Sequence, residues 1–203
     1  MWIIKIGGSW IKNSKLDILV KLFHKFAKKK IVIVTGGGII ADCIRDIYNK
    51  VDVSEENAHY LALKATEIFG HFLKSKNKNM NLTSDINKFI RKKINIWLPS
   101  KKLKTSKDFE KTWESSSDSV ASWLYGNTLS EGILFVKSLE LSKKKNYDLT
   151  ELQSEGILDR NLDKYLKGKK NLKIVGPEII HFLNENSDWK IVESKFSNVI
   201  LKE

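Results

Sequence analysis

Apolar residues fall in short unbroken runs between helical-period stretches. "WIIKI" (2–6), "KIVIVT" (30–35), "INIWL" (94–98), "GILFVK" (132–137) and "NLKIV" (171–175) read as buried strands. Two shorter strands are expected at 189–193 and 198–202. Between them, apolar positions 16, 19, 20, 22, 23 and 26 predict a helix within 13–29, and helices follow at 38–49 and from Ser54 to about Lys74. Ser54 caps the last of these, with Glu55 and Glu56 in its first turn where the helix dipole favours them. Further helices are expected at 85–93, from 115 to 125, near 150–155 and 159–167, and at 176–185. Segment 75–81 reads as a polar loop, and a lysine-rich loop runs from Pro99 to Trp113. Alternating strands and helices predict an α/β fold with a mainly parallel sheet covered on both faces. No repeat or linker breaks the chain. It reads as one domain over 1–203, in two functional halves at about 1–110 and 111–203.

Composition narrows this only a little. Six tryptophans and 41% hydrophobic residues indicate a packed core. The net charge of +12 would ordinarily suggest nucleic acid, but arginine occurs only at 45, 91 and 160 and the lysines are scattered among acids. No nucleic-acid partner is expected. Lys5 and Lys12 interrupt the first apolar stretch, which argues against a leader, and no run approaches the ~20 residues of a membrane helix. The single Cys43 reads as a small core residue in a reducing, cytoplasmic setting.

The chemistry gathers where strands end. "IKIGGS" (4–9) and "IVTGGG" (33–38) each finish in glycine, and in open α/β sheets ligands sit beyond the carboxyl ends of strands. Glycine lets backbone N–H groups approach an anion, and a helix starting next adds its positive end. Either run alone is equally a tight strand-to-helix turn. Two such loops on one edge point to a polyphosphate. GxxxxGK[ST] is absent, as is GxGxxG with its distant acid, so neither a P-loop nor a dinucleotide fingerprint is present. Lys5 lies inside a buried strand and needs an anionic partner; Lys137 ends another strand. Asp118, after three serines, opens a helix. It is either a cap, a group orienting lysines, or a water-mediated Mg²⁺ ligand. His59 could face an acceptor from the 54–74 helix, and Asp42 is a further candidate substrate contact. His24, His71 and His181 show no metal spacing, and no metal held by the protein is expected.

"IKIGGS", "VTGGG", "SSSDSVASW" and "ILFVKS", in this order, resemble the amino acid kinase family, which includes carbamate, acetylglutamate, uridylate and isopentenyl phosphate kinases. "VSEENAHYLALKATEIFG" (53–70), "WESSSDSVASW" (113–123) and "EGILDRNLDKYL" (155–166) resemble a subgroup, the aminomethylfuran phosphate kinases of methanofuran and tetrahydromethanopterin biosynthesis. The resemblance implies a three-layer αβα sandwich and transfer of the γ-phosphoryl of ATP, with Mg²⁺, to a small acceptor. It implies that Lys5 stabilises the transferring group and that Asp118 positions the lysines. Gly7, Gly8 and Ser9 would hold phosphate from one side, and Gly36, Gly37 and Gly38 from the other. Ser117, Lys137 and Ser138 would border the nucleotide. The expected partners are a phosphate-bearing small molecule and further copies of the chain, as a dimer or higher. Two departures stand out. Many members continue from this strand into Asp-Gly, but here the chain reads "KSLELSKKKNYD", and the C-terminal Gly-Thr of several relatives is replaced by "FSNVILK". A different acceptor, or a non-catalytic binding protein with a degenerate nucleotide loop, therefore remains an alternative.

Overall fold

The computed structural model describes residues 1–201. One eight-stranded sheet takes strands from both ends of the chain. In sequence they are β1 (Trp2–Ile6), β2 (Ile31–Thr35), β3 (Asn81–Thr83), β4 (Ile94–Trp97), β5 (Gly132–Val136), β6 (Asn146–Asp148), β7 (Leu172–Val175) and β8 (Ser197–Ile200). Their spatial order is β3-β4-β2-β1-β5-β7-β8-β6. Every pair is parallel except β7 with β8.

Helices α1 (Leu16–His24), α2 (Gly38–Tyr48), α3 (Glu55–Lys76), α4 (Ser100–Thr105), α5 (Ser117–Gly126), α6 (Leu149–Ser154), α7 (Ile179–Glu185) and α8 (Trp189–Ser194) cover the sheet. They form the two outer layers of an αβα sandwich around two apolar clusters. Trp2, Ile4 and Ile6 of β1 point into the cluster with α1, α7 and α8, whereas Ile3 points into the one with α5 and α6. In β5, Leu134 and Val136 take the first side, and Ile133 and Phe135 the second. Side chains alternate along a strand. Lys5 and Lys137 therefore fall on the α5 face, and this parity sets up the site.

Several local expectations are corrected. Residues 189–193 form the helix α8, not a strand: Asp188 caps it by accepting from the Lys190 amide, and Trp189 and Val192, three apart, share its buried face. Within 85–93 there is only a 3₁₀ turn, Ile86–Lys88. The chain there is held instead by the Asn95 carboxamide, which bonds the Ile90 amide and the carbonyls of Ile90 and Lys93. Likewise 159–167 holds only the 3₁₀ turn Asp163–Tyr165. The loop at 75–81 is shorter than expected, since α3 runs to Lys76 and Asn81 opens β3. The stretch after Pro99 contains α4, and β6 was not anticipated. Of the strand expected at 198–202, residue 202 lies outside the described residues. Cys43 is exposed on α2 and is not a core residue.

Candidate functional site

Asp118 lies in the first turn of α5, against β1 and β5. Its Oδ1 is 2.8 Å from the Lys5 ammonium, an ionic contact, and its Oδ2 accepts a hydrogen bond from the Lys137 ammonium at 2.9 Å. All three groups are buried, at 4%, 3% and 8% exposure for Lys5, Asp118 and Lys137. Burial pushes the Asp118 carboxyl up, but Lys137 and Lys5 outweigh it and hold the group below its ordinary value. Burial pushes Lys137 down, more than Asp118 restores. Two ammoniums share one carboxylate, so this trio carries an excess positive charge at the carboxyl ends of adjacent strands. Such a buried excess is suited to an anion.

The glycines serve a purpose the sequence did not single out. The two loops pack backbone against backbone. A Cβ on Gly36 would lie 2.3 Å from the Gly8 nitrogen, and one on Gly38 would lie 2.4 Å from the Gly8 oxygen. Gly38 also adopts φ +52°. The amides of Gly7 and Gly36 continue the sheet ladder, donating to Val136 O at 3.0 Å and to Ile6 O at 2.8 Å. Gly8, Ser9, Gly37 and Gly38 instead line a cavity of about 380 Å³. Helix α2 begins at this wall, where its first amides have no intrahelical acceptor. Ser9 and Ser138 hydroxyls hydrogen-bond to each other and tie the loop after β1 to the loop after β5.

Beyond the glycines, the cavity is bordered by Asp42 and Arg45 of α2, His59 of α3, and Trp113 and Ser115–Ser117. Asp42 is exposed. His59 is 3% exposed; its Nε2–H donates to the Ser115 carbonyl at 3.0 Å, which leaves the ring's lone pair on Nδ1. Burial lowers its pKa, with the Ser115 hydrogen bond opposing. The Arg45 guanidinium sits 4.9 Å from the centre of the Trp113 ring. Arg45 and Lys12 went unnoticed as cavity cations. One signal was available: Arg45 is among only three arginines and lies two turns after Gly38 on one helix. Asp159 and Asn161 were also missed. The half-buried Asp159 accepts from Ser116 Oγ at 2.5 Å and from the Ser119 amide at 2.9 Å.

A second, larger cavity of about 1180 Å³ opens beyond β5 and β7. Glu140–Lys145, Val175, Pro177, Phe182 and Lys15 are among its walls. Among the described residues no group of three or more His, Cys, Asp or Glu side chains could hold a metal, and no helix is long and apolar enough to cross a membrane.

Known proteins share this architecture. Uridylate kinase from Archaeoglobus fulgidus superposes with a TM-score of 0.66 at 15% identity, over 99% of both chains. Carbamate kinase from Giardia lamblia, solved with AMP-PNP, gives 0.60 at 11% identity over 99% of this chain and 98% of that one. In sequence, the chain is 35% identical over 133 residues to the [5-(aminomethyl)furan-3-yl]methyl phosphate kinase of Methanocaldococcus jannaschii. That alignment takes in 61% of this chain and 59% of the relative, so the chain matches less than two thirds of that protein's length. The sequence model of the amino acid kinase family matches residues 1–126, which include both glycine loops, Lys5 and Asp118. The chain belongs to the amino acid kinase family.

Proposed function

We propose that this protein is a small-molecule kinase that moves the γ-phosphoryl of ATP to a phosphate monoester, the acceptor being an aminomethylfuran methyl phosphate. The observation that carries the reading is the buried pair of ammoniums on Asp118, at the carboxyl ends of β1 and β5, with the glycine loop that continues β1 lining the smaller cavity. Phosphoryl transfer asks the protein for positioning and charge neutralisation. Lys5 and Lys137 supply the charge, and Asp118 holds both ammoniums in place. Amides of Gly8, Ser9, Gly37 and Gly38 hold phosphate oxygens. The smaller cavity takes the acceptor, with Asp42, His59 and Ser117 at its border. The larger, walled by Glu140–Lys145 after β5, takes the nucleotide, with Lys137 and Ser138 on the chain that leads from the reaction centre into that wall.

A phosphate acceptor arrives ionised, so no general base is required. Mg²⁺ fits this donor set only as a companion of the nucleotide. Both oxygens of Asp118 are held by lysines, and Mg²⁺ is commonly carried by substrate phosphates and water. Bound that way, it neutralises phosphate charge.

The absence of glycine from "KSLELSKKKNYD" favours a second reading, a binding protein that does not turn over. Purified protein offered ATP with aminomethylfuran methyl phosphate, its dephosphorylated alcohol, uridylate and isopentenyl phosphate separates these. Diphosphate from the furan phosphate alone supports the proposal. Turnover of uridylate or isopentenyl phosphate instead keeps a kinase and discards the acceptor. No turnover of any compound favours the binding protein.

A further inference from the structure

Helix α5 begins in an unusual way. Its N-cap residue, Ser116, makes no capping bond with its own side chain. An N-cap serine ordinarily accepts from the amide two or three residues on, which here belongs to Asp118 or Ser119. The acceptor comes instead from a segment some forty residues later. Asp159 Oδ2 takes the Ser119 amide at 2.9 Å, while the Ser116 hydroxyl turns outward and donates to Asp159 Oδ1 at 2.5 Å. The same segment grips the preceding serine. Asn161 Nδ2 donates to Ser115 Oγ at 3.0 Å, and the Tyr165 hydroxyl lies 3.0 Å from that oxygen. The strap is itself held: Gln153 donates to the carbonyls of Asp159 and Arg160, and Leu162 is fully buried.

We propose that Asp159 is a positioning residue for phosphoryl transfer: it caps α5 in place of Ser116, fixing the turn that carries Asp118, and from that place its carboxylate acts at longer range on the lysines that Asp118 holds. The proposal rests on the kinase reading. Lys5 and Lys137 against Asp118 leave one positive charge in excess for an anion; Asp159, held at the N-terminus of α5, offsets part of that excess at longer range. The charged groups facing Lys137 are then Asp118 from α5, Lys5 from β1 and Asp159 from the strap, and Asp159 supports the protonated form of Lys137. Burial, and then Asp118, raise the pKa of Asp159 itself.

Asp159→Asn tests this, since it keeps the size of the side chain and removes the charge. It is expected to lower kcat about tenfold or more, because displacement of a positioning group by a fraction of an ångström is felt in the transition state. The KM values for ATP and acceptor should stay within roughly threefold of the parent. The melting temperature should stay close to the parent's, and the alkaline fall of kcat should move to lower pH. Carbon-13 NMR of labelled lysine side chains reads the Lys137 titration without any turnover, and it should move the same way. Asn161→Ala loosens the strap without changing charge and should leave that titration where it is. A parent-like kcat in Asp159→Asn, or an unmoved Lys137 titration, overturns the proposal. So does an Asn161→Ala protein that reproduces the whole effect. A parent protein without turnover sinks the kinase reading, whereas the NMR titration still decides whether Asp159 acts on the cluster.

Discussion

Gly8 and Gly38 touch through their backbones: a Cβ on Gly8 would lie 2.2 Å from the Gly38 amide nitrogen. Neither atom belongs to a flexible side chain, so the clash can be relieved only by parting the loops after β1 and β2. Gly8→Ala should destabilise by about 1–3 kcal/mol, the usual range for overpacking. It should also reduce turnover more than the stability loss alone explains, because the same amides line the cavity. Thermal melts and steady-state kinetics check this. A variant with parent-like melting and kcat would mean that the loops are not held in contact.

The three buried charges predict an order of damage. Lys5→Met leaves Asp118 paired with Lys137, one charge against one. The fold should survive, and kcat should fall on the order of 10²–10³, the cost of losing one preorganised group. Asp118→Asn removes the carboxylate that touches both buried ammoniums and leaves them without an ion-pair partner in contact. Breaking a buried pair from one side costs about 3–5 kcal/mol. Denaturant unfolding should therefore rank Asp118→Asn below Lys5→Met in stability. The reverse order would show that Asp118 does not hold both lysines.

That arrangement was legible because strand parity is a strict rule. Lys5 follows Ile3 by two and Lys137 follows Phe135 by two, so both point where α5 packs. Asp118, opening a helix after a serine run, was open to three readings, as a cap, a lysine-orienting group or a Mg²⁺ ligand, and the family resemblance pointed to the second. The glycine loops were visible as loops, but Gly7 and Gly36 turn out to spend their amides on the sheet, a contact between distant segments that leaves no local trace. Asp159 was hidden for a similar reason: it lies in a polar stretch with no periodicity, and its partners are about forty residues away. The segment 189–193 read as a strand because "WKIVE" is rich in β-branched and aromatic residues. Tertiary packing of Trp189 and Val192 overrode that propensity.

The pKa directions predict two pH effects with opposite origins. Asp118 titrates below its ordinary value when folded, so its ion pairs stabilise fully above the unfolded carboxylate range. That contribution is lost as pH falls through the lower folded value, and acid unfolding should show it. Lys137 is depressed by burial. Its ammonium, needed for charge neutralisation, should disappear at a pH below that of an exposed lysine, and kcat should fall there. Lys137→Arg cannot lose its proton in this range. Its pH–kcat profile should lack the alkaline limb, whatever its absolute rate. A limb that persists unchanged in Lys137→Arg would assign it to another group.

Arg45 tests which cavity takes which ligand. It borders the smaller cavity, two turns beyond the glycines, and its guanidinium lies over Trp113. An anionic acceptor held there would meet this cation, and Arg45 is not among the residues that line the larger cavity. Arg45→Leu keeps an apolar body against Trp113 and removes the charge. The acceptor KM should rise about tenfold, equivalent to roughly 1.4 kcal/mol, with the KM for ATP unchanged. The effect should weaken as salt is raised, since Arg45 is exposed and its field is screened. Should the ATP KM rise while the acceptor KM holds, the two cavities must be exchanged in the proposal. Equal rises in both would place Arg45 at the junction, and its charge would then act on the phosphates of either ligand.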